Sequence, residues 1–370
     1  MFRYRIYPTK KQLHQLNETL EECRWLYNHL LEKRKQVYEQ TGQGLTRYQQ
    51  QATFSLLKQQ RPSLERVHSQ VLQNVAVRVD LAFQAFFRRV RAQAQEPGFP
   101  RFKGQGRYDS FTFPQSGFSL THDQRVCLSK IGSIKLIYHR PIRDKIKTLT
   151  LHRSSTGKWY ACFSVECEPE RLPECREQVG IDVGLQTFAT LSTGEKIENL
   201  RFFRKEEKAL AKAQHQHAQL AKGTPQRRKH RKVVARVHER IAWRRENFTH
   251  QASRKIVNAY GLICVEDLQV KPMTQNHRLA KSIADASWSA FFAQLSCKAE
   301  EAGRVFVKVN PAYTSQMCSQ CGHRKPLPLG ERIFACPCCH AHLDRDLNAS
   351  LNILALGRQG LGLVPRSSRL

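Results

Sequence analysis

Two pairs of cysteines at matched spacing constrain this chain more than any other feature. Cys318-Ser-Gln-Cys321, then fourteen residues, then Cys336-Pro-Cys-Cys339 set two C-x-x-C knuckles within reach of each other. Each two-residue gap lets a tight turn aim both sulfurs at one ion, so four thiolates can enclose a tetrahedral Zn²⁺ in a zinc ribbon. Cys338 is the spare, because only Cys336 with Cys339 keeps that gap. A closed Cys₄ site leaves no open position for water, which makes the expected zinc structural. A redox dithiol pair, or replacement of one thiolate by His340 or His342, is the competing reading. Of the 12 cysteines, five fall between Cys318 and Cys339, a clustering that points to metal rather than to a disulfide framework.

Charge limits the partners. Lys+Arg number 61 against 31 Asp+Glu, a formal net charge of +30 over 370 residues. Such a chain repels itself unless a polyanion neutralises part of it, which makes nucleic acid the leading partner class. With 40% hydrophobic residues, including 19 Phe, it can still build packed cores, and its length suits two or three domains. No apolar run approaches the roughly 20 residues of a membrane span, and the opening residues lack the apolar segment of a signal peptide. The expected setting is a reducing cytoplasm, with no membrane partner.

Periodicity orders the rest. Leu13, Leu16, Leu20, Leu26, Leu30 and Leu31 recur at helical steps after the start signal Pro8-Thr9. A second stretch opens at Pro62-Ser63, with Leu64, Val67, Val71, Leu72, Val75, Val79, Phe83, Phe86, Phe87 and Val90 as its apolar stripe. From Phe118 to Cys167 the period falls to two, which predicts a small antiparallel sheet or barrel. Phe2–Tyr7 alternates as well and is a candidate partner strand, so the helical stretch reads as an insertion into a β domain. Strands from Val179 and over Gly261–Val265 and Val305–Val309, with a helix over Ser287–Ala302, predict an α/β domain with a mixed sheet.

Two segments suit phosphate. Between Glu96 and Pro114, Arg101, Lys103 and Arg107 alternate with aromatics including Tyr108 among helix-breaking Gly and Pro. The segment from Arg204 to Glu246 holds 14 Lys/Arg against 4 Glu, and Arg227, Arg228, Lys229, Arg231 and Lys232 are its densest run. The bland alternatives are a loop whose aromatics plug a neighbouring core and a solvated helix face.

Three acidic residues stand at element ends: Asp182 in Val179-Gly-Ile-Asp-Val-Gly184, Glu266 after Val265, and Asp346 in Asp344-Arg-Asp-Leu-Asn-Ala349. Singly, each reads as a cap. Together in so basic a protein they suit divalent cations placed between carboxylates and a phosphodiester, where two Mg²⁺ ions assist in-line displacement.

Gly180-Ile-Asp-Val-Gly-Leu185, Val265-Glu-Asp-Leu268, Val309-Asn-Pro-Ala-Tyr-Thr-Ser-Gln-Met-Cys-Ser-Gln-Cys-Gly322 and Asp344-Arg-Asp-Leu-Asn-Ala349 resemble the TnpB (OrfB) family of insertion sequences, which is related to type V CRISPR nucleases. Tyr4-Arg-Ile-Tyr-Pro8 and Pro97-Gly-Phe-Pro-Arg-Phe-Lys103 extend the resemblance over nearly the whole chain. It implies a bacterial or archaeal, nucleoid-associated RNA-guided DNA endonuclease whose partners are a guide RNA and double-stranded target DNA. The implied fold is mixed α/β and β: a β wedge or barrel at 1–10 and 96–172 carries a helical insertion at 11–95. An RNase H-like (RuvC-like) nuclease domain at 173–314 and 343–370 is interrupted by a zinc ribbon at 315–342. Carried over by motif, Asp182, Glu266 and Asp346 are the catalytic, Mg²⁺-holding carboxylates, with Asp344 the alternative for the third and Asp267 a weaker one for the second. His340 stands where the family's knuckle often has Gly. A transposase using the same carboxylates, or a nuclease-silent regulator, is the other reading.

Overall fold

The computed structural model describes residues 1–363 except 95, 122 and 329. It divides into two compact units, Met1–Cys167 and Glu168–Leu370.

In the first unit the order is β1 (Phe2–Tyr7), α1 (Lys10–Thr41), α2 (Arg47–Ala52), α3 (Phe54–Gln60), α4 (Ser69–Arg91) and β2 (Ser110–Phe113). Then come β3 (Phe118–Thr121), β4 (Arg125–Leu128), β5 (Gly132–Leu136), β6 (Lys145–Arg153) and β7 (Trp159–Glu166). These strands form one antiparallel sheet in the order β2-β6-β7-β1-β5-β4-β3. β1 sits in its middle, with Tyr4 opposite Ala161, so the chain enters the sheet, leaves through four helices and returns. Alternation explains the burial: Tyr4, Ile6, Trp159, Ala161 and Phe163 face one core while their neighbours stay outside. Thr9 starts α1 through a capping box with Gln12, and Gly42 ends it in the left-handed region at φ 68°.

Two expectations change here. The stripe of α4 is fully buried only as far as Val79; Phe83 is half-buried at the core's edge, Phe83 and Phe86 meet the Phe99 ring edge-on, Phe87 packs on both of them, and Phe87 and Val90 are exposed. The segment from Glu96 to Pro114 is not all linker, since Ser110–Phe113 pairs with β6 and buries Phe111 and Phe113. Arg78 clamps this strand to α4, bonding the Ser110 carbonyl at 2.6 Å and Thr112 Oγ1 at 2.9 Å.

The second unit comprises β8 (Gln178–Val183), β9 (Thr187–Leu191), β10 (Lys196–Glu198), α5 (Phe202–Gln219), α6 (Pro225–Ala259) and β11 (Leu262–Glu266). It continues with α7 (Val270–Met273), α8 (Ala280–Ala286), α9 (Trp288–Ala302), β12 (Val305–Val309), β13 (Ile333–Ala335), β14 (His342–Asp344) and α10 (Arg345–Gly360). The sheet order is β10-β9-β8-β11-β12, with β8, β9 and β10 antiparallel and β11 and β12 parallel to β8. β11 is buried on both faces, as a central parallel strand requires, which is why it reads as an apolar run ending in Glu266.

α10 lies unusually close to this sheet. A Cβ on Gly180 would stand 2.0 Å from the Ser350 carbonyl oxygen, and one on Gly357 would stand 2.2 Å from Cys264 Sγ. Neither residue needs a positive φ; each needs the absence of a side chain. Gly180→Ala should therefore destabilise the second unit by about 1–3 kcal/mol or more, because backbone cannot yield as a side chain does. Gly44→Ala, with nothing within 4 Å, should be neutral in the same denaturation experiment.

Candidate functional site

The three carboxylates reach one place by three routes. Parallel pairing sets Val265 opposite Ile181, so the next step puts Glu266 beside Asp182 at the ends of neighbouring strands. Asp346 is the second residue of α10, brought in by the glycine contacts. Asp344 is the cap of that helix: its carboxylate accepts from the N–H groups of Asp346 at 3.0 Å and Leu347 at 3.1 Å, and pairs with Lys196 at 2.9 Å. Asp267 is exposed and pairs with Lys308 at 3.1 Å.

The like charges act on Asp182. Burial pushes the Asp182 carboxyl well above its usual range; the charges of Glu266 and Asp346 raise it further, while Arg345 and the Val183 N–H pull it down. Burial also raises Glu266, opposed by the Thr314 hydroxyl, which donates to Oε1 at 2.5 Å. Partial burial pushes Asp344 up, but the Lys196 hydrogen bond and the Leu347 N–H outweigh it, and the net shift is downward. Asp344 is thus held ionised by its own partners, whereas Asp182 and Glu266 are buried carboxylates that gain from a cation.

Two residues here carried no sequence signal as site residues. Arg332 brings its guanidinium to 3.9 Å from the Asp346 carboxylate, and its carbonyl accepts from the Arg345 N–H at 2.8 Å. Thr314 is buried, and its carbonyl accepts from Asn352 Nδ2 at 2.8 Å. Asn348, fully buried, accepts from the Ser319 N–H at 2.9 Å and donates to the Met317 carbonyl at 2.7 Å. The asparagines of α10 therefore fasten the segment that leads into the cysteine knuckles.

Cys318, Cys321, Cys336 and Cys339 bring their sulfurs within 4.8 Å of one another, with Cys318 and Cys339 at 3.6 Å and Cys321 and Cys336 at 3.5 Å. Cys338 is exposed and outside the group. The donor set and its compactness fit Zn²⁺. A core of Phe334, Leu327 and Ala341 is too small to hold this lobe by itself. His340 has φ 60°, the left-handed geometry that glycine adopts most easily.

The basic segments divide. Arg101 and Arg107 are exposed, while Lys103 fixes its loop to α1, its N–H donating to Asn28 Oδ1 at 2.7 Å. Tyr108, expected among the nucleic-acid contacts, is corrected to a core residue: it is 6% exposed, under the Arg78 guanidinium, so its face is closed to a base. α5 and α6 are joined at the Gly223-Thr-Pro225 break, and Arg228, Lys229, Arg231 and Lys232 on α6 are exposed, with Arg227 half-buried. The charge there is more mixed than the sequence suggests. Arg240 and Arg244 both bond buried Glu206, at 3.2 and 2.8 Å, and Arg245 bonds buried Asp285 at 3.0 Å.

Comparison with known proteins gives three family matches. Residues 162–277 match an OrfB family described as "Probable transposase", 288–353 a "Cas12f1-like, TNB domain", and 1–43 a "Helix-turn-helix domain". Over that last stretch the structure has a strand and one continuous 32-residue helix. A Streptomyces pristinaespiralis protein named "Putative RNA-guided DNA endonuclease" is 33% identical over 363 residues, covering 96% of this chain and 89% of that one. InsQ of Escherichia coli (strain K12), with the same description, is 29% identical over 376 residues, covering 96% and 92%. The fold is similar to that of Cas12f1 solved in a complex with sgRNA and target DNA, at TM-score 0.58 and 13% identity, over 93% of this chain and 82% of that one.

The cysteine geometry sets an expectation. Elemental analysis should find about one Zn²⁺ per chain, and Cys321→Ser should lose it and unfold the ribbon, since metal binding supplies its folding energy. Cys338→Ser should keep both zinc and fold.

Proposed function

The chain belongs to the OrfB (TnpB) family, and on that premise we propose that it is an RNA-guided DNA endonuclease cutting at Asp182, Glu266 and Asp346. The observation that supports this is the placing of Glu266 beside Asp182 at the ends of paired strands, with Asp346 near enough that, after burial, the charges of Glu266 and Asp346 raise the Asp182 pKa. The sheet order β10-β9-β8-β11-β12, three strands antiparallel and two parallel to the first, supports an RNase H-like (RuvC-like) domain over 173–314 and 343–370. The ribbon would be the insertion at 315–342, and the β wedge and its helical insertion would occupy 1–10 with 96–172, and 11–95.

An all-oxygen donor set, Glu266 buried with Asp182 and Asp346 half-buried, fits a hard divalent cation such as Mg²⁺. Bound there, such ions would neutralise the scissile phosphodiester and activate a water for in-line attack. Glu266 is held in one orientation by Thr314, and Asp182 stands beside it on a buried strand that cannot give way. Arg332 offsets the charge of Asp346 and is placed to meet a phosphate oxygen. Arg101, Lys103, Arg107, Arg227, Arg228, Lys229, Arg231 and Lys232 would hold the RNA and DNA backbones through charge.

Asp182→Ala, Glu266→Ala and Asp346→Ala should each lower Mg²⁺-dependent cleavage by at least about 100-fold while leaving RNA binding intact, as loss of a metal ligand requires. Asp344→Ala should cost less, about the 1 kcal/mol of a helix cap. The deciding experiment isolates the protein with its co-purifying RNA, alters the guide segment and maps the cut. A cut site that moves with the guide supports the reading; a cut unmoved by RNA removal, or a strand joined rather than hydrolysed, replaces it with transposase chemistry.

Protons and cations should compete for the raised carboxylates. Thr314→Val removes the hydrogen bond that lowers the Glu266 pKa, so that pKa rises further. The Mg²⁺ concentration for half-maximal cleavage should increase in the variant, and more at mildly acidic than at alkaline pH.

A further inference from the structure

Tyr313 occupies an uncommon position. Its φ is 65°, a left-handed conformation that a bulky residue adopts only under strain. The residue is 50% exposed, and the Arg324 guanidinium lies over its ring at 3.2 Å. The next residue, Thr314, is 3% exposed and donates to Glu266.

The strained backbone is held from both sides. The Tyr313 carbonyl accepts from the N–H groups of Gln316 at 2.9 Å and Met317 at 3.0 Å, closing a turn. Asn352 on α10 donates to the carbonyls of both Thr314 and Met317. Arg324 is placed by its own β-bridge to Met317. One left-handed residue thus sends consecutive side chains in different directions, Thr314 into the carboxylate site and Tyr313 into solvent.

Packing in the interior does not explain an aromatic ring at this place, since the residue is half exposed, and glycine would make the turn without strain. A ring paired with a guanidinium, one residue from a group that holds a carboxylate, is a surface on which an unpaired base can stack. We propose that Tyr313 and Arg324 form a base-stacking seat for the single strand delivered to the carboxylates. A base there sets the sugar-phosphate chain beside Glu266. This rests on the nuclease reading, and it adds a positioning role for two residues that lie outside the carboxylates and the zinc ligands.

The test uses the protein–guide RNA complex and single-turnover cleavage of target DNA carrying one abasic nucleotide, stepped through the positions flanking the cut. The wild-type complex should lose rate about ten- to a hundredfold at one position, the cost of one missing stacked base. Tyr313→Gly, which relieves the left-handed strain, should cut intact DNA slowly and show no extra penalty at that position. Tyr313→Phe should behave as the wild type. Arg324→Ala should flatten the same position, and it serves as the second variant if Tyr313→Gly loses zinc or melts early. An abasic penalty unchanged in both variants overturns the seat while leaving the nuclease reading standing. No cleavage by the wild-type complex removes the nuclease reading and the seat together.

Discussion

The contact on which the site depends is backbone against backbone. Gly180 lets the Ser350 carbonyl approach β8, and Gly357 leaves room for the Cys264 thiol of β11, so the helix packs closely against both strands. Asp346 is far from Asp182 in sequence, and only this approach puts a helix-start carboxylate beside two strand-end carboxylates. The same helix carries Asn348 and Asn352, whose amides fix the chain entering the cysteine knuckles. One interface therefore sets both the acidic site and the ribbon's attachment, and at Gly180 it has little tolerance because the Ser350 carbonyl is backbone and cannot rotate away.

Bringing three carboxylates together costs electrostatic energy that the fold only partly offsets. Arg345 and Arg332 stand near, yet Asp182 remains well above its usual range, and the largest reason is burial. A buried acidic cluster of this kind favours whatever cation reaches it. This explains why a chain of net charge +30 contains so local a concentration of acid: the cations serve a polyanion elsewhere, and here the protein leaves a deficit.

How much of this the sequence discloses depends on whether local chemistry decides the outcome. The cysteine spacing fixes the four sulfurs because a knuckle is a local turn, and Thr9 and Gln12 announce the start of α1 for the same reason. The alternation of Phe2–Tyr7 disclosed a strand of the sheet, but not its place between β7 and β5, which only long-range pairing decides. Tyr108 and the distal half of α4 were not legible, since a basic aromatic loop and an amphipathic helix look alike whether or not a strand such as β2 covers them. Arg332 was invisible because its contact with Asp346 is made across the ribbon rather than along the chain. Asp344 and Asp346 are indistinguishable as acids; the N–H groups that Asp344 caps separate their roles.

The basic hairpin separates structural charge from functional charge. Glu206 and Asp285 are buried, and each would be an uncompensated ion without Arg240, Arg244 and Arg245, so those arginines are part of the fold. The run from Arg227 to Lys232 lies at the start of α6, in and after its first turn, where no acidic residue stands. Cations there oppose the helix dipole and one another, so they weaken the helix that carries them. Arg227 and Arg228 also hold the break before α6, donating to the Leu220 and Gly223 carbonyls, whereas Lys229, Arg231 and Lys232 are exposed. A polyanion whose phosphates relieve both repulsions would account for them, the role the proposed guide RNA would fill.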